Sequence, residues 1–240
     1  MILRPRYVLC LAALLLAACG EEVERPVAAP EEAVWRAPPR VDRVALNGDR
    51  LELTGSAQPG ARVVMRDGDG QAHAASAGPD GGFMLVLPPP GQPVLLRPEN
   101  QDGERSLPGP DSILVLPDGA AVALSPGAPS RRLDVGEGLS AVDSDGRMAI
   151  VSGRTGRGQP PVKVRLGSAR EMEVPVDAYG VWTVRVDVAA LGGVVTVEGT
   201  EYRPTLSGAA PGSISEDAEG TRIGWATPDG AALTTWIPAR

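Results

Sequence analysis

Two cysteines, Cys10 and Cys19, and one histidine, His73, are the only thiol and imidazole groups in this 240-residue chain. Nucleophilic triads and zinc centres need such groups at fixed spacing, and no HExxH, GxSxG or paired CxxC motif occurs. His73 lies in the alternating run Gln71-Ala72-His73-Ala74-Ala75-Ser76 and reads as a strand residue. Asp67-Gly68-Asp69-Gly70-Gln71 has the alternating carboxylates of a calcium loop, but Ala72 stands where that loop needs Gly and Gly78 where it needs Glu. It reads as a hairpin turn, as does Asp143-Ser144-Asp145-Gly146, while Glu216, Asp217 and Glu219 read as a solvated acidic loop. Neither catalysis, a metal nor a cofactor is expected. The remaining chemistry is stacking: the C-terminal half holds Tyr179, Trp182, Tyr202, Trp225 and Trp236, against Phe83 alone in the preceding hundred residues. Aromatics stack on sugar faces and anchor protein interfaces. Tyr179, Tyr202, Trp225 and Trp236 therefore form the candidate binding face, and Trp182 is assigned to a core.

Cys19 is the one residue whose surroundings specify a reaction. Arg4 and Arg6 form a positive leader, Tyr7 to Leu16 is a short apolar run, and Leu16-Ala17-Ala18-Cys19 closes it in small residues, the layout of a cleaved signal peptide. A permanent membrane span needs ~20 apolar residues, and here Glu21, Glu22 and Glu24 follow at once. The Leu-Ala-Ala-Cys run resembles the lipobox of bacterial lipoproteins. That resemblance implies acylation of the Cys19 thiol and removal of residues 1–18, which takes Cys10 away and moves the formal charge from −7 to −9. A diacylglyceryl group with an N-acyl chain exceeds the two signals that stable anchoring needs, and it leaves no thiol for a disulfide even in an oxidising compartment. Gly20 stands where members of that family retained in the inner membrane carry Asp, which points to the outer membrane.

The elements that follow must be built with few aromatics: the chain has four Trp, three Tyr and one Phe, with 30 Gly and 24 Pro, and 42% of it is hydrophobic. Such a chain folds, with many turns, around Val, Leu, Ala and Ile. An excess of 30 acidic over 23 basic residues, with no basic run, excludes binding to a nucleic-acid backbone. Residues 19–40, rich in Glu and Pro, read as a disordered, semi-extended tether reaching ~60 Å. Trp35 in it is expected to lie against the first folded unit. From residue 41 onward, short β-branched or alternating runs such as Leu51-Glu52-Leu53-Thr54 and Phe83-Met84-Leu85-Val86-Leu87 alternate with Gly, Pro and Asp, and no helical period survives. The fold class is all-β.

These runs repeat. Gly55 recurs as Gly153, Gly81-Gly82-Phe83 as Gly180-Val181-Trp182, Pro110-Asp111-Ser112-Ile113 as Pro211-Gly212-Ser213-Ile214, and Pro117-Asp118-Gly119 as Pro228-Asp229-Gly230. The interval from Gly55 to Gly81 is 26 residues and from Gly153 to Gly180 is 27, so the units are copies; the second carries about ten extra residues between Ile214 and Pro228. Leu53-Thr54-Gly55-Ser56-Ala57-Gln58-Pro59-Gly60-Ala61, followed by Asp80-Gly81-Gly82-Phe83, resembles bacterial immunoglobulin-like repeats of envelope and surface proteins. It covers residues 41–97 and extends to 145–199, where Gly158-Gln159-Pro160-Pro161 replaces the Pro-Gly-Ala turn.

The resemblance implies two tandem immunoglobulin-like β-sandwiches with Phe83 and Trp182 as core aromatics, acting as spacers or adhesive modules without chemistry of their own. The expected domains are a signal peptide (1–18), the acylated Cys and tether (19–40), unit 1 (41–126), a linker (127–138) and unit 2 with a C-terminal hairpin (139–240). The first unit is expected to survive loss of residues 224–240. The expected function is a lipid-anchored, non-catalytic envelope spacer or protein-binding scaffold, its partners being the membrane and an envelope protein; the alternative is recognition of a glycan or peptidoglycan by the second-unit aromatics. Intact-mass measurement of membrane-extracted protein should give a chain beginning at an acylated Cys19. Retention of residues 1–18, or an unmodified Cys19, overturns the lipobox reading.

Overall fold

The computed structural model describes residues 37–134, 137–207 and 209–239. Cys19, the signal segment, Trp35 and the tether as far as residue 36 lie outside the described residues. Gly and Pro punctuate the rest into short strands, because each run between them is long enough for five or so extended residues and too short for a helix. The first unit contains β1 (Arg40–Asn47), β2 (Arg50–Ser56), β3 (Arg62–Arg66), β4 (Ala72–Ser76), β5 (Gly82–Leu87), β6 (Val94–Asp102), β7 (Arg105–Pro108), β8 (Ser112–Val115), β9 (Ala121–Leu124) and β10 (Arg131–Arg132). The second contains β11 (Gly138–Ser144), β12 (Met148–Arg154), β13 (Val162–Leu166), β14 (Met172–Val174), β15 (Val181–Asp187), the single turn α1 (Val188–Leu191), β16 (Val195–Val197), β17 (Thr200–Tyr202), β18 (Ile214–Glu216), β19 (Gly220–Ala226) and β20 (Ala232–Pro238).

Each unit is an antiparallel sandwich, as immunoglobulin-like folds require. In the first, a sheet ordered β1-β2-β5 faces one ordered β10-β9-β8-β6-β3-β4, with β7 also paired to β6. In the second, β15-β12-β11-β20-β19-β18 faces β14-β13-β16-β17. Alternation fills the cores: in β5 Phe83, Leu85 and Leu87 point inward while Met84 and Val86 point out.

The duplication holds at the level of single contacts. Phe83 sits opposite Gly55 across β2 and β5, and Trp182 opposite Gly153 across β12 and β15. Each ring lies on the bare backbone of its glycine: a Cβ on Gly55 would stand 2.7 Å from the Phe83 ring, and one on Gly153 would overlap the Trp182 indole. Both copies shift register at the same place, between Val41 and Arg43 and between Leu139 and Ala141. The same loop hydrogen bond recurs, Ala57 N–H donating to Gly81 O and Thr155 N–H to Gly180 O, each at 2.8 Å.

The copies part company at the last hairpin. The Pro-Asp-Gly turn repeats as expected, but β8–β9 extends the sheet of β6 whereas β19–β20 joins β11 on the opposite sheet. Chain length explains the switch. Three residues, 109–111, connect β7 to β8 and keep both on one edge of β6, while 203–213 between β17 and β18 is long enough to cross the sandwich.

The two hairpins then meet. One face of β8–β9 (Ile113, Val115, Ala121, Ala123) packs into the first core, and the other (Leu114, Val122, Leu124) joins Ala141, Ile223, Trp225 and Ile237 in a third core shared by both units. This corrects the expectation that the first unit would survive without residues 224–240, because those residues cover its apolar outer face. The expected linker, 127–138, carries β10, whose Arg132 is fully buried. Residues 36–240 should therefore unfold in one cooperative transition. Trp225→Ala and Leu124→Ala, on opposite sides of the shared core, should each cost about 2–5 kcal/mol and lower the same melting temperature by calorimetry. Two transitions, one of them unmoved by either variant, would contradict a shared core.

Candidate functional site

The four candidate aromatics do not share a face. Tyr179 is 71% exposed, held out on a turn in which its own N–H donates to Asp177 Oδ1 at 2.8 Å. Tyr202 is half-buried against the second core. Trp236 is 1% exposed within that core, its indole over the backbone of Gly220, and Trp225 is buried in the shared core. The expectation that Trp225 or Trp236 faces outward is thus corrected. Alternation along β20 turns Trp236 into its own sandwich and Ile237 toward the other, and the first unit covers the face of β19 that carries Trp225. A glycan-stacking platform loses half its residues.

The carboxylates that suggested calcium loops close turns instead. Asp67 Oδ1 accepts the N–H of Asp69 and of Gln71 at 3.1 and 2.8 Å, and Asp217 Oδ1 accepts those of Glu219 and Gly220 at 2.9 and 3.0 Å. Asp145 does the same for Met148 and Arg147, and those two N–H bonds hold its carboxyl below the usual range. A turn begun by Asp satisfies backbone donors that the reversal would strand. Among the described residues, no three His, Cys, Asp or Glu side chains gather to hold a metal. His73 lies half-buried on β4, opposite Met65.

The polar groups that are buried together lie where the units join; the sequence reading placed one of them, Asp143, in a turn, whereas it is buried near the end of strand β11 with the turn beyond it, and that reading did not single out the others. Asp143 on β11 accepts the Thr235 hydroxyl at 2.6 Å and the Ser130 N–H at 2.7 Å. Thr235 in turn accepts Trp225 Nε1–H at 2.8 Å, and Ser152 donates its hydroxyl to Ser130 O at 3.2 Å. Beside them, Arg132 forms a bidentate pair with Asp134 at 2.7 and 2.6 Å and donates Nη1–H to Pro238 O at 2.7 Å, tying β10 to the C-terminal strand. The signal available was Arg131-Arg132 and Asp134 inside a segment otherwise small and apolar, where charges that cannot be solvated must pair.

A cleft of about 830 Å³ opens beside this junction, lined by Leu95, Leu114, Leu124, Ile214, Trp225 and prolines of both units. Its ionisable groups are Arg97 and Asp111, and Asp111 is engaged by the Ser125 hydroxyl at 2.7 Å and by Arg131 Nη2–H at 3.0 Å.

These sheets define the chain as a tandem immunoglobulin-like β-sandwich protein. The family described as Bacterial Ig domain matches residues 37–110, the first unit as far as the turn before β8. No curated protein matches the chain. An immunoglobulin-like fold of this kind fits a non-catalytic scaffold or binding module. No helix among the described residues is long and apolar enough to cross a membrane.

Burial pushes the Asp143 carboxyl above the usual range, and its bonds to Thr235 and Ser130 recover part of the shift. A raised native pKa means that the folded state keeps a proton the unfolded chain releases near pH 3.8. The associated stability is complete below that pH and is lost as pH rises through the native value. The stability of the natural protein relative to Asp143→Asn, from urea unfolding, should therefore fall as pH rises above the unfolded value of 3.8. A pH-independent difference would show that Asp143 stays ionised throughout.

Proposed function

We propose that the protein is a lipid-anchored envelope protein in which a fused pair of immunoglobulin-like sandwiches acts as a rigid spacer or protein-binding scaffold. What carries the reading is one stretch of chain: a lipobox-like Leu16-Ala17-Ala18-Cys19, a polar segment from Gly20, and then the Bacterial Ig domain match beginning at residue 37. Three acyl chains on Cys19 hold the protein at a bilayer, residues 20–40 join the anchor to the sandwiches, and Gly20 favours the outer membrane. A shared core between the units supports a spacer role, since two sandwiches packed through common apolar residues hold a distance and orientation between them. The single, engaged carboxylate of the cleft beside the junction supports a role by contact rather than by reaction.

Membrane fractionation of the producing cell tests this. The natural chain should sediment with the outer membrane and leave it only in detergent, whereas Cys19→Ser should keep residues 1–18 and shift to a different fraction. Recovery of both forms in the soluble fraction would end the anchored reading, and co-sedimentation of both with the inner membrane would replace it with a transmembrane one.

A further inference from the structure

The first sandwich carries an apolar strand edge that in the second sandwich bears charge instead. β5 is the last strand of the order β1-β2-β5, so the N–H and C=O groups of every second residue point away from β2. Its outward side chains, Met84 and Val86, are 58% and 46% exposed, and no charged residue occurs between Asp80 and Arg97. Natural sheets protect such edges with charges, prolines or cover. The second unit shows the protected version. With Trp182 equivalent to Phe83, Thr183 takes the place of Met84, Arg185 that of Val86, and Asp187 that of Pro88; β15 is likewise terminal in its sheet, and Arg185 and Asp187 are exposed.

We propose that β5 is a self-association strand, along which two copies of this chain pair antiparallel over Phe83–Leu87; Gly82 takes no part, since its N–H is held by Asp80 Oδ1 and its C=O by Gly78 N–H. Three features select a second copy as the occupant. Pairing centred on Leu85 sets Met84 of one copy opposite Val86 of the other, so each apolar side chain meets another and no like charges are opposed, despite the acidic net charge of −7. Each copy has one free side on β5, so a single partner consumes it and the assembly closes as a two-fold dimer. Pro88-Pro89-Pro90 follows Leu87 directly, and residues without an N–H end the ladder there, so the pairing is confined to the apolar stretch that complements itself. Five residues of strand bury less than the ~1,200 Å² of a standard interface, so the dimer is weak and reversible. This goes beyond the anchored-spacer reading and does not depend on it, since no residue before 36 takes part.

Residues 36–240 form one compact unit and contain no cysteine, so this fragment serves for the test. In sedimentation equilibrium its average mass should climb toward twice the monomer value as concentration rises from ~1 to ~500 µM, the range of a small interface. Met84→Thr with Val86→Arg, which gives β5 the outward residues of β15 at exposed positions, should stay monomeric at every concentration while keeping the same melting temperature. Met84→Cys should be joined into a dimer by a short bis-maleimide, and Thr183→Cys on β15 should not. A natural fragment that stays monomeric, together with a Met84→Cys variant that the bis-maleimide leaves uncoupled, overturns the proposal, as does association that persists undiminished in the double variant.

Discussion

Everything in this molecule turns on the apolar contact between two hairpins. Leu114, Val122 and Leu124 from one sandwich and Ile223, Trp225 and Ile237 from the other form a core that belongs to neither. A tandem pair joined by an exposed linker would leave each unit to balance its own entropy with a core of modest size. Sharing a third core couples the two. It also explains why β8 and β9 are apolar at nearly every position and lack the alternation of strands with a wet face, for both of their faces are dry.

The polar junction follows from that contact. Once the hairpins close on each other, residues 130–133 pass through protein, and their hydrogen-bonding groups must be satisfied there. Asp143 takes the N–H of Ser130 and the hydroxyl of Thr235, and Arg132 with Asp134 forms an ion pair sealed from water that also caps Pro238 O. A buried pair of this kind is weak as a source of stability, because desolvating both charges offsets their attraction, yet removing one partner is severe. Its effect is local: Asp134 holds the guanidinium two residues away in one orientation, and from there Arg132 reaches Pro238 O on the last strand of the second sandwich.

Duplication followed by unequal change accounts for the surface. The internal aromatic and its glycine are kept in both copies, as is the loop that closes beside them, because a ring lying on bare backbone tolerates no Cβ. The outward residues of the same strands diverged freely. Met84 and Val86 in the first copy correspond to Thr183 and Arg185 in the second, and the C-terminal hairpin moved to a different sheet. The core constrains a copy; the edges and long connections let it acquire a role of its own.

The all-β class, the two copies, the Phe83 and Trp182 positions and the turn at Pro228-Asp229-Gly230 are legible in the residues alone. They are encoded locally, by period-two alternation, by glycine and proline at reversals, and by spacing that survived duplication. Which sheet the last hairpin joins is not local. It depends on an eleven-residue connection, 203–213, crossing the sandwich, and on that crossing rest the shared core, the burial of Trp225 and the conversion of a linker into β10. Strand sequences that face two dry surfaces look the same whichever two surfaces those are, and an Asp in a strand looks solvated until Ser130 and Thr235 close over it. Composition and order therefore determined what the units are, and tertiary packing decided what each aromatic and each charge is for.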